Sequence, residues 1–503
     1  MSTQQIRFFH RGELVEVSGA QPTRTVLEWL REDARCTGTK EGCNEGDCGA
    51  CTVVIGELPE HTDAPGTSVR GLSLRTVNAC IQFLPTLHGK ALFTVEDLKG
   101  TPSAGLHPAQ QAMVECHGSQ CGFCTPGFMM SLWSTYEHHA ACGTRPSRQQ
   151  LADDLAGNLC RCTGYRPILD AGQRMFELPA TRLDTAPVID ALRSIDRSDT
   201  FSRPGFHAPR SLAALATLRE QLPAARLLAG STDVGLWVNK QFKELGEIIY
   251  VGDVDELKGV EERDGELYLG AGASLESTWR ALAARWPELT DVWLRFASPP
   301  IRHAGTMGGN VANGSPIGDA PPVLMSLDAQ IELRRGERVR RMPLADFYVD
   351  YMKNRLEPGE FVQGLAVPPM AARRQVRAYK ISKRFDSDIS AVCAGLSIEL
   401  DGDTVKQVRL AYGGMAAIVK RAPQAEAAVQ GQPWTQATVD AAKAALARDF
   451  TPLTDMRASA AYRLQVALNL LQRFWLETRR TNPLPIQATS VWSVMPHDVT
   501  EGA

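Results

Sequence analysis

Cysteine is the residue type whose spacing in this 503-residue chain indicates chemistry most directly. Cys43, Cys48 and Cys51 follow a C-x4-C-x2-C pattern, and Cys80 lies further along the chain. This is the plant-type spacing in which four thiolates hold a 2Fe-2S cluster. Glycines within the loop would supply the backbone freedom that three sulfurs need to converge on two irons. A zinc site is the alternative, but zinc ligands usually come as two C-x2-C pairs.

Two further cysteine pairs predict a second four-thiolate site. Cys121 and Cys124 form a C-x2-C pair, and Cys160 and Cys162 form a C-x-C pair. Each pair adjoins a segment of helical pattern, and helix N-termini favour an anionic cluster. On spacing alone a structural zinc ion remains an alternative. An iron-sulfur cluster upstream favours a second one here, because two one-electron centres in series form a path for electrons. The other four cysteines are expected to be small core residues: Cys36, Cys116, Cys142 and Cys393.

Composition and charge restrict the classes of protein and of partner. Hydrophobic residues make up 44% of the chain and charged residues 22%, which is ordinary for a globular protein. A net charge of -3 predicts neither nucleic-acid binding nor attraction to an anionic membrane. No apolar run of roughly eighteen residues occurs, and the N-terminal segment lacks the pattern of a secretory signal. Twelve cysteines in such a chain favour metal ligation in a reducing compartment, so we expect a cytoplasmic protein.

Around the cysteines the sequence predicts a small sheet followed by a helical region. Residues 6–17 are predicted as a β-hairpin, residues 25–31 as a helix and residues 52–55 as a strand. Together they predict a β-grasp layout with the cysteine loop at the edge of the sheet. Residues 57–70 are rich in proline, glycine and polar side chains and are predicted as an exposed loop. From about residue 102 the pattern becomes helical.

Two glycine-rich stretches predict a second kind of ligand site. Residues 224–234 are predicted as a buried strand that runs into a Gly-Ser-Thr turn, whose unpaired N–H groups suit a pyrophosphate. A plain strand-to-helix turn is the alternative for this stretch taken alone. Residues 301–319 concentrate glycine and short polar side chains, which favours a polyphosphate ligand lying against the main chain. Neither stretch contains G-x-G-x-x-G, so a Rossmann dinucleotide site is disfavoured.

The rest of the chain is predicted as a linker, a mixed region and a tail. Residues 177–202 are predicted as a linker, because their periodicity is weak and proline recurs. Residues 391–412 are predicted as a hairpin, and residues 437–448 and 459–478 as helices. The tail, residues 483–503, has no periodic pattern and is expected to lie on a partner or to be disordered.

The two cysteine blocks, in this order, resemble the iron-sulfur half of the xanthine oxidase (molybdenum hydroxylase) family. The glycine-rich stretches resemble its FAD-binding domain, which is similar to those of vanillyl-alcohol oxidase and carbon monoxide dehydrogenase flavoproteins. The resemblance covers nearly the whole chain and implies an α+β multidomain fold. The implied parts are a β-grasp plant-type 2Fe-2S ferredoxin domain (1–95), a helical-bundle 2Fe-2S domain (96–176), a linker (177–202), an α+β FAD-binding domain (203–372), an α+β domain like the C-terminal domain of carbon monoxide dehydrogenase flavoproteins (373–482) and a tail (483–503).

The resemblance also implies which residues bind FAD, beside the eight cysteines as iron ligands. One set would wrap the pyrophosphate: Arg226, Leu227, Leu228, Ala229, Gly230, Ser231, Thr232 and Asp233. A second set would continue that cradle: Thr306, Gly309 and Asn310. Asp319 would bind the ribityl or adenosine portion, and Phe296 would pack on the isoalloxazine. Val362 and Lys380 would lie near the flavin ring.

Some details depart from the family pattern or extend it. Thr306 stands where relatives have serine, and this change keeps the hydroxyl group. The gap between Cys51 and Cys80 is longer than is usual in the family. The resemblance places Gln120 toward a pterin held by another subunit. It also implies a charged loop near the flavin and the NAD entry, for which an ordinary solvated charge cluster is the alternative: Lys383, Arg384 and Asp386.

By this resemblance the chain is expected to be the electron-output half of a bacterial enzyme with two kinds of subunit. The implied reaction is the NAD-dependent oxidation of hypoxanthine and xanthine to urate in purine catabolism. Electrons would pass from molybdenum through the second cluster, the first cluster and FAD to NAD, and no residue of this chain would be catalytic. The expected partner is a molybdopterin-binding large subunit, in a dimer of heterodimers.

Two other classes of function stay open at this point. Carbon monoxide, nicotine and quinoline dehydrogenases generally keep clusters and flavin on separate chains, which disfavours them. A sister molybdenum hydroxylase acting on another N-heterocycle or on an aldehyde is the nearest alternative. A stand-alone iron-sulfur flavoprotein reductase that oxidises NAD(P)H, or a non-catalytic electron-transfer module, belongs to a different class.

Overall fold

A computed structural model describes residues 4–59, 68–98, 105–197 and 199–489 of the chain. The middle of the predicted loop at 57–70 and most of the predicted tail, residues 490–503, lie outside the described residues. Among the helices in the described ranges, none is both long enough and apolar enough to cross a lipid bilayer.

The N-terminal domain is a β-grasp sheet with one helix on it, as predicted. Its elements are β1 (Ile6–His10), β2 (Glu13–Val17), α1 (Val26–Glu32), β3 (Thr52–Glu57), β4 (Ser68–Val69), β5 (Leu72–Asn78) and β6 (Ala91–Phe93). The strand order is β2-β1-β6-β3-β5-β4, with β1 and β6 parallel and the other pairs antiparallel. Thr25 begins α1 with a capping box, in which its hydroxyl accepts from the Glu28 N–H and the Glu28 carboxylate accepts from the Thr25 N–H. The cysteine loop therefore lies between the end of α1 and the start of β3.

The second domain is helical, as predicted. Its helices are α2 (Pro108–Glu115), α3 (Thr125–Cys142), α4 (Arg148–Asp154) and α5 (Arg166–Arg174). The central helix, α3, is buried over most of its length and ends at Gly143, whose φ of +66° gives the left-handed conformation that glycine favours. Helix α6 (Ala186–Ser194) follows inside the segment predicted as a linker. This prediction missed the helix, because only two of its side chains, Val188 and Leu192, are fully buried in the core, which is too few to produce a clear period.

The third region contains two larger sheets and one two-stranded sheet, with helices around them. Its first part comprises β7 (Phe201–Arg203), β8 (Phe206–Ala208), α7 (Leu212–Gln221), β9 (Arg226–Leu228), α8 (Val234–Asn239) and β10 (Ile248–Tyr250). The strand order β7-β8-β10-β9 places β9 at an edge, so the predicted burial of this strand is confirmed for Leu228 but was wrong for Arg226, which is exposed. Its second part comprises β11 (Val260–Arg263), β12 (Glu266–Gly270), α9 (Leu275–Arg285), α10 (Thr290–Arg295), α11 (Pro299–Ala304), α12 (Met307–Asn313), α13 (Ala320–Ser326), β13 (Gln330–Arg335), β14 (Arg338–Pro343), β15 (Tyr348–Asp350), β16 (Lys353–Asn354) and β17 (Phe361–Val367). The main sheet of this part has the order β11-β12-β17-β13-β14.

The C-terminal region is a sheet covered by helices, as predicted. Its elements are β18 (Gln375–Ile381), β19 (Val392–Asp401), β20 (Thr404–Gly413), β21 (Lys420–Arg421), α14 (Pro423–Val429), α15 (Gln436–Asp449) and α16 (Ala460–Thr478). The predicted hairpin corresponds to the antiparallel pair β19 and β20. The predicted helices correspond to α15 and α16. Short 3-10 turns complete the described elements: Leu84–Leu87, Val95–Leu98, Asp255–Leu257, Pro287–Leu289, Leu344–Asp346 and Ile486–Thr489.

The β-grasp domain and the first sheet of the third region share one hydrophobic core. Phe8 and Leu92 from the β-grasp sheet belong to the same buried cluster as Phe206 and Ile248. A buried lysine, Lys90, adds a polar link across this interface. Its Nζ lies 2.8 Å from Glu57 Oε1 of its own domain and donates to Tyr250 Oη of β10 at 2.9 Å. This interface holds the cysteine loop against the third region.

Candidate functional site

The first cysteine loop brings its sulfurs together with Cys80, which follows β5. Cys43 is hydrogen-bonded to Cys48, and Cys51 to Cys80. Cys80 also lies within electrostatic range of Cys43, so the two pairs adjoin. The loop turns tightly at Gly49, whose φ is +70°. The four predicted ligands thus form one cluster of thiols.

Backbone amides of the loop are directed at the sulfur atoms. The N–H groups of Asp47 and Cys48 each donate to Cys43 Sγ at 3.3 Å. Gly46, with a φ of +79°, makes the turn that presents them. The hydrogen bond from the Cys48 thiol, together with these amides, lowers the pKa of Cys43 to about 5 although burial opposes this shift. A thiolate that accepts amide hydrogen bonds is the form in which cysteine binds iron.

The second cysteine site lies at the N-terminal ends of two helices. Cys121 and Cys124 precede α3, and Cys160 and Cys162 precede α5. Cys121 is hydrogen-bonded to Cys162, and Cys124 to Cys160. Burial and the hydrogen bond to Cys160 raise the pKa of Cys124 to about 12. The N–H of Phe123 and the Cys162 thiol lower the pKa of Cys121.

Both sites suit a two-iron cluster better than a single ion. Each site consists of two adjoining cysteine pairs. Two irons that each take two thiolates require this arrangement, whereas a tetrahedral zinc ion requires four ligands around one centre.

The two cysteine sites touch each other through their backbones. The Leu159 N–H, next to Cys160, donates to the Cys48 carbonyl at 3.0 Å. The Asn158 side-chain amide donates to the Gly49 carbonyl at 3.1 Å. A side chain at Gly127, in the first turn of α3, would overlap the same Gly49 carbonyl, so only glycine allows the helix to approach this closely.

A cavity of about 380 Å³ lies where the two glycine-rich stretches meet. After β9 the chain turns through Gly230 and Ser231, whose φ is +65°, into α8. A side chain at Gly230 would overlap the Ala304 carbonyl, so the turn packs directly on the end of α11. Thr306 caps α12 by accepting a hydrogen bond from the Gly309 N–H at 3.1 Å. The two stretches therefore form one cradle.

The cradle contains polar atoms that the protein itself does not satisfy. Ser231 Oγ and Asn310 Oδ1 are buried and have no hydrogen-bond partner among the described residues. Burial raises the pKa of Asp233 above its ordinary value. Buried polar groups without partners are costly, so the site suits a ligand rich in hydrogen-bonding groups, such as FAD. Eleven predicted FAD residues line the cavity: Arg226, Leu227, Ala229, Gly230, Ser231, Thr232, Asp233, Thr306, Gly309, Asn310 and Val362.

The other four predicted FAD residues are not among those that line this cavity. Leu228, the last residue of β9, is fully buried in the core, and Phe296 packs in the core of the third region. Lys380 Nζ donates to Asp319 Oδ2 at 2.7 Å, and Ser390 Oγ donates to Asp319 Oδ1 at 2.6 Å. The Asp319 carboxylate is thus held by buried protein groups on both oxygens, and its contact with a ligand stays a prediction, as does that of Lys380.

Several cavity residues were missed by the sequence reasoning: Arg219, Trp237, Met352, Asn354 and Phe361. Trp237 had a usable signal, because it lies four residues after Asp233 and therefore on the same helical face. The Arg226 guanidinium lies 5.0 Å from the centre of the Trp237 ring. Met352 had no local signal, because it reaches the cavity from the turn between β15 and β16 with a φ of +54°.

The second cysteine site is open to the surface, whereas the first is largely covered. Cys121, Cys162 and Gln120 are exposed. Beside them, Phe123 has 47% of its surface exposed and Leu159 has 38%. An apolar rim around exposed metal ligands is a feature of surfaces that another protein covers.

The remaining cysteines and the charged loop are only partly as predicted. Cys36 and Cys393 are buried, as predicted, but Cys116 is half-buried and Cys142 is exposed at the end of α3. The core prediction was wrong for Cys142, whereas Cys116 packs, partly buried, against the core that contains α3. In the charged loop, Arg384 lies 3.8 Å from Asp47 of the first cysteine loop. The structure thereby places this predicted loop beside the first site.

Comparisons with protein families follow the same division of the chain. A family described as a 2Fe-2S iron-sulfur cluster binding domain matches residues 8–83, and a [2Fe-2S] binding domain family matches residues 94–173. The FAD binding domain in molybdopterin dehydrogenase matches residues 199–370. The CO dehydrogenase flavoprotein C-terminal domain matches residues 377–478. These matches support two 2Fe-2S clusters and FAD as the cofactors of the chain.

Relatives of known function give the same family. Xanthine dehydrogenase of Drosophila pseudoobscura pseudoobscura is 30% identical over 95% of this chain, and aldehyde oxidase 2 of Macaca fascicularis is 28% identical over 94%. This chain spans 39% of the length of either relative. A structure of carbon monoxide dehydrogenase from Hydrogenophaga pseudoflava matches with 28% identity and a TM-score of 0.51, over 54% of this chain and 96% of that chain.

The fold and the site together define an iron-sulfur flavoprotein with two adjoining thiolate sites and an FAD cradle. The chain belongs to the xanthine oxidase (molybdenum hydroxylase) family, of which it carries the two iron-sulfur domains, the FAD-binding domain and the flavoprotein C-terminal domain.

Proposed function

We propose that this chain is the iron-sulfur and FAD subunit of a bacterial xanthine dehydrogenase. It would carry electrons from the molybdenum centre of a partner subunit to NAD while hypoxanthine and xanthine are oxidised to urate. When bound, the clusters supply one-electron steps and FAD joins single electrons into a hydride. The task of this chain is to hold these groups in order and in contact, and none of its residues needs to act as an acid or base.

The observation that carries the proposal is that the first cysteine loop touches both of the other sites. On one side, the Leu159 N–H of the second site donates to the Cys48 carbonyl at 3.0 Å. On the other side, Lys240, at the end of the helix that leaves the FAD cradle, donates to the Cys43 carbonyl at 2.6 Å. The order of the sites in space is therefore second cysteine site, first cysteine site, cradle. This is the order in which electrons from a molybdenum partner would reach FAD.

The open face of the second site supports a partner subunit there. Cys121 and Cys162 are exposed, so a cluster on them would meet water and oxidants unless another protein covered it. Gln120, also exposed, would face the pterin of a molybdopterin-binding large subunit. We propose that the two subunits form a dimer of heterodimers. None of the twelve cysteines, all of which lie in the described ranges, forms a disulfide, and this supports a cytoplasmic location.

A sister molybdenum hydroxylase is the second candidate, because identity to relatives does not separate the substrates. Aldehyde oxidase 2 of Macaca fascicularis, at 28% identity, is nearly as similar as the xanthine dehydrogenase of Drosophila pseudoobscura pseudoobscura, at 30%. The substrate of the complex would be set by the partner subunit, which alone would hold the molybdenum site. Assays of the complex with xanthine, with an N-heterocycle and with an aldehyde would distinguish these candidates.

The decisive experiment is the analysis of the chain purified together with the molybdenum partner. We expect about four iron atoms and about one FAD per copy of this chain, molybdenum on the other chain, and xanthine-dependent reduction of NAD only by the complex. A chain that alone oxidises NADH with an artificial acceptor, and binds no molybdenum partner, would instead be a stand-alone reductase. Zinc in place of iron would contradict both the subunit function and the reductase function.

A pair of cysteine variants tests the assignment of the ligands. Cys43→Ser should remove one EPR-active cluster and leave FAD bound, because Cys43 lies in the first cysteine loop and not in the cradle. Cys142→Ser is the matched control, since Cys142 is exposed at the end of α3 and outside both sites. It should keep both cluster signals. Loss of FAD together with the cluster in Cys43→Ser would contradict this separation of the sites.

A further inference from the structure

The short helix α8 connects the FAD cradle with the first cysteine site. Its N-terminal end follows the Gly230–Asp233 turn, and the Gly235 N–H donates to the Ser231 carbonyl at 2.7 Å. A side chain at Gly235 would overlap Ile81, so α8 lies against the backbone that follows Cys80. One end of this helix therefore belongs to the cradle, and its flank packs on Ile81, the residue that follows the ligand Cys80.

The other end of α8 holds the backbone of two of the four predicted ligands. The Asn239 side-chain amide donates to the Cys80 carbonyl at 2.7 Å and to Asn44 Oδ1 at 3.2 Å. Lys240 Nζ donates to the Cys43 carbonyl at 2.6 Å. These bonds join residues 159, 195 and 197 positions apart in the sequence, so no local pattern could have indicated them.

We propose that Asn239 and Lys240 are positioning residues that set the geometry and the reduction potential of the first cluster. The inference rests on the proposed function, because it assumes a 2Fe-2S cluster on Cys43, Cys48, Cys51 and Cys80. Asn239 fixes the relative position of the Cys43 loop and Cys80 through its hydrogen bonds to Asn44 and to the Cys80 carbonyl. Lys240 places a positive charge at the first ligand. The same helix thereby ties the geometry of the cluster to that of the FAD turn.

The two side chains act by different physical means. Reduction of the cluster adds one electron and thus one negative charge, which a nearby cation stabilises relative to the oxidised form. Lys240 therefore raises the reduction potential. Its side chain is 42% exposed and lies 3.8 Å from Glu45 Oε2, so its effect is partly cancelled and is screened by salt. Asn239 is neutral, and its effect is on orientation rather than on charge.

Redox titration followed by EPR on the purified complex tests the charge. Lys240→Met should shift the midpoint potential of the first cluster to a more negative value, and the shift should be larger at low ionic strength than at high. The potential of the second cluster should not move. Lys240→Arg keeps the positive charge, so the midpoint potential of the first cluster should stay at the value of the unmodified protein. Lys406→Met is the matched control, because it removes an exposed lysine that pairs with Glu399 in the C-terminal region.

Asn239→Leu tests the orientation by a separate signal. It should change the EPR g-values of the first cluster while both clusters and FAD remain bound, because the Cys80 carbonyl loses its donor. An unmodified complex without cluster signals would overturn the proposed function and this inference with it. Two normal cluster signals with a first potential that does not respond to Lys240→Met, and g-values that do not respond to Asn239→Leu, would overturn this inference alone.

Discussion

The two cysteine sites have the same number of ligands but differ in exposure, since the first has no exposed cysteine and the second has two. In the first, Cys51 and Cys80 are almost fully buried, and side chains from the helical domain and from α8 hold the loop. In the second, Cys121 and Cys162 are exposed. Four cysteine thiols therefore form a site in the interior in one case and a site at the surface in the other.

This difference in exposure indicates which of the two sites could receive electrons from another protein and which could pass them on only within the chain. A covered site would exchange electrons with the groups that cover it, and the first cysteine loop contacts the second site and, through Lys240, the end of the helix that leaves the cradle. An open site can accept electrons from another protein. The enclosure of the first site depends on contacts between domains, so variants that weaken those contacts test the comparison.

The largest expected effect is at the ion pair that joins α9 to α11. Arg302 Nε lies 2.6 Å from Glu276 Oε2, and Arg302 Nη1 donates to the Phe296 carbonyl at 2.9 Å. Glu276→Gln would leave Arg302, which is 3% exposed, without this partner, and should cost about 3–5 kcal/mol of stability. Denaturant unfolding at neutral pH measures the loss. Glu337→Gln, at an exposed position, is the control and should change stability by less than about 0.5 kcal/mol.

The same pair predicts a pH dependence. Burial opposes ionisation of Glu276, but the Arg302 charge outweighs it and lowers the pKa of this carboxyl to about 2. Because the folded pKa lies below the ordinary value, the stabilisation is complete above about pH 4.5 and is lost as the pH falls toward 2. The difference in unfolding free energy between the unmodified protein and Glu276→Gln should shrink over this range. A difference that stays constant would contradict the assigned pKa.

The second prediction concerns the buried lysine that joins the β-grasp domain to the third region. Burial disfavours the charge of Lys90, but the Glu57 carboxylate outweighs it, so the pKa of Lys90 is raised above its ordinary value. Lys90→Met should cost about 2–3 kcal/mol, because Glu57 and the buried Asp253 lose a shared cation. Thermal unfolding measures this loss, with Lys406→Met as the exposed control. Equal stabilities of the two variants would mean that this interface does not enclose the first site.

The third prediction concerns the contact between the two cysteine sites themselves. Gly127→Ala should force α3 away from the Gly49 carbonyl and cost about 1–3 kcal/mol through overpacking. It should also slow electron exchange between the clusters, which freeze-quench EPR can follow. Gly259→Ala is the control, because an added Cβ there meets no atom closer than 3.4 Å. Normal stability and normal exchange in Gly127→Ala would show that the close approach is not required.

The smallest effect is expected for thiol labelling after iron has been removed. Cys121 and Cys162 should react at least about tenfold faster than Cys51 and Cys80, a difference of about 1.4 kcal/mol in the barrier. The reason is that Cys121 and Cys162 are exposed, whereas Cys51 and Cys80 are buried. Mass spectrometry of the labelled peptides measures the order of reaction. Equal rates would mean that the enclosure of the first site depends on the bound cluster.

Much of this protein was determined by its sequence alone, because the relevant chemistry is local in the chain. The C-x4-C-x2-C loop, the two later cysteine pairs and the Gly-Ser-Thr turn each lie within a few residues, so their spacing carries the geometry. The β-grasp hairpin and the long C-terminal helices were predictable for the same reason, since their periodicity is contained in one segment.

Only the tertiary structure decided which site is covered and which residues cover it. Asn239 meets Cys80 and Lys90 meets Tyr250 across about 160 positions of sequence, as their separations of 159 and 160 indicate. The pairing of Asp319 with Lys380 and the helix within the predicted linker also depend on packing between distant segments. Such contacts arise from the burial of surfaces that no short stretch of sequence describes, and they determine the order in which the sites meet.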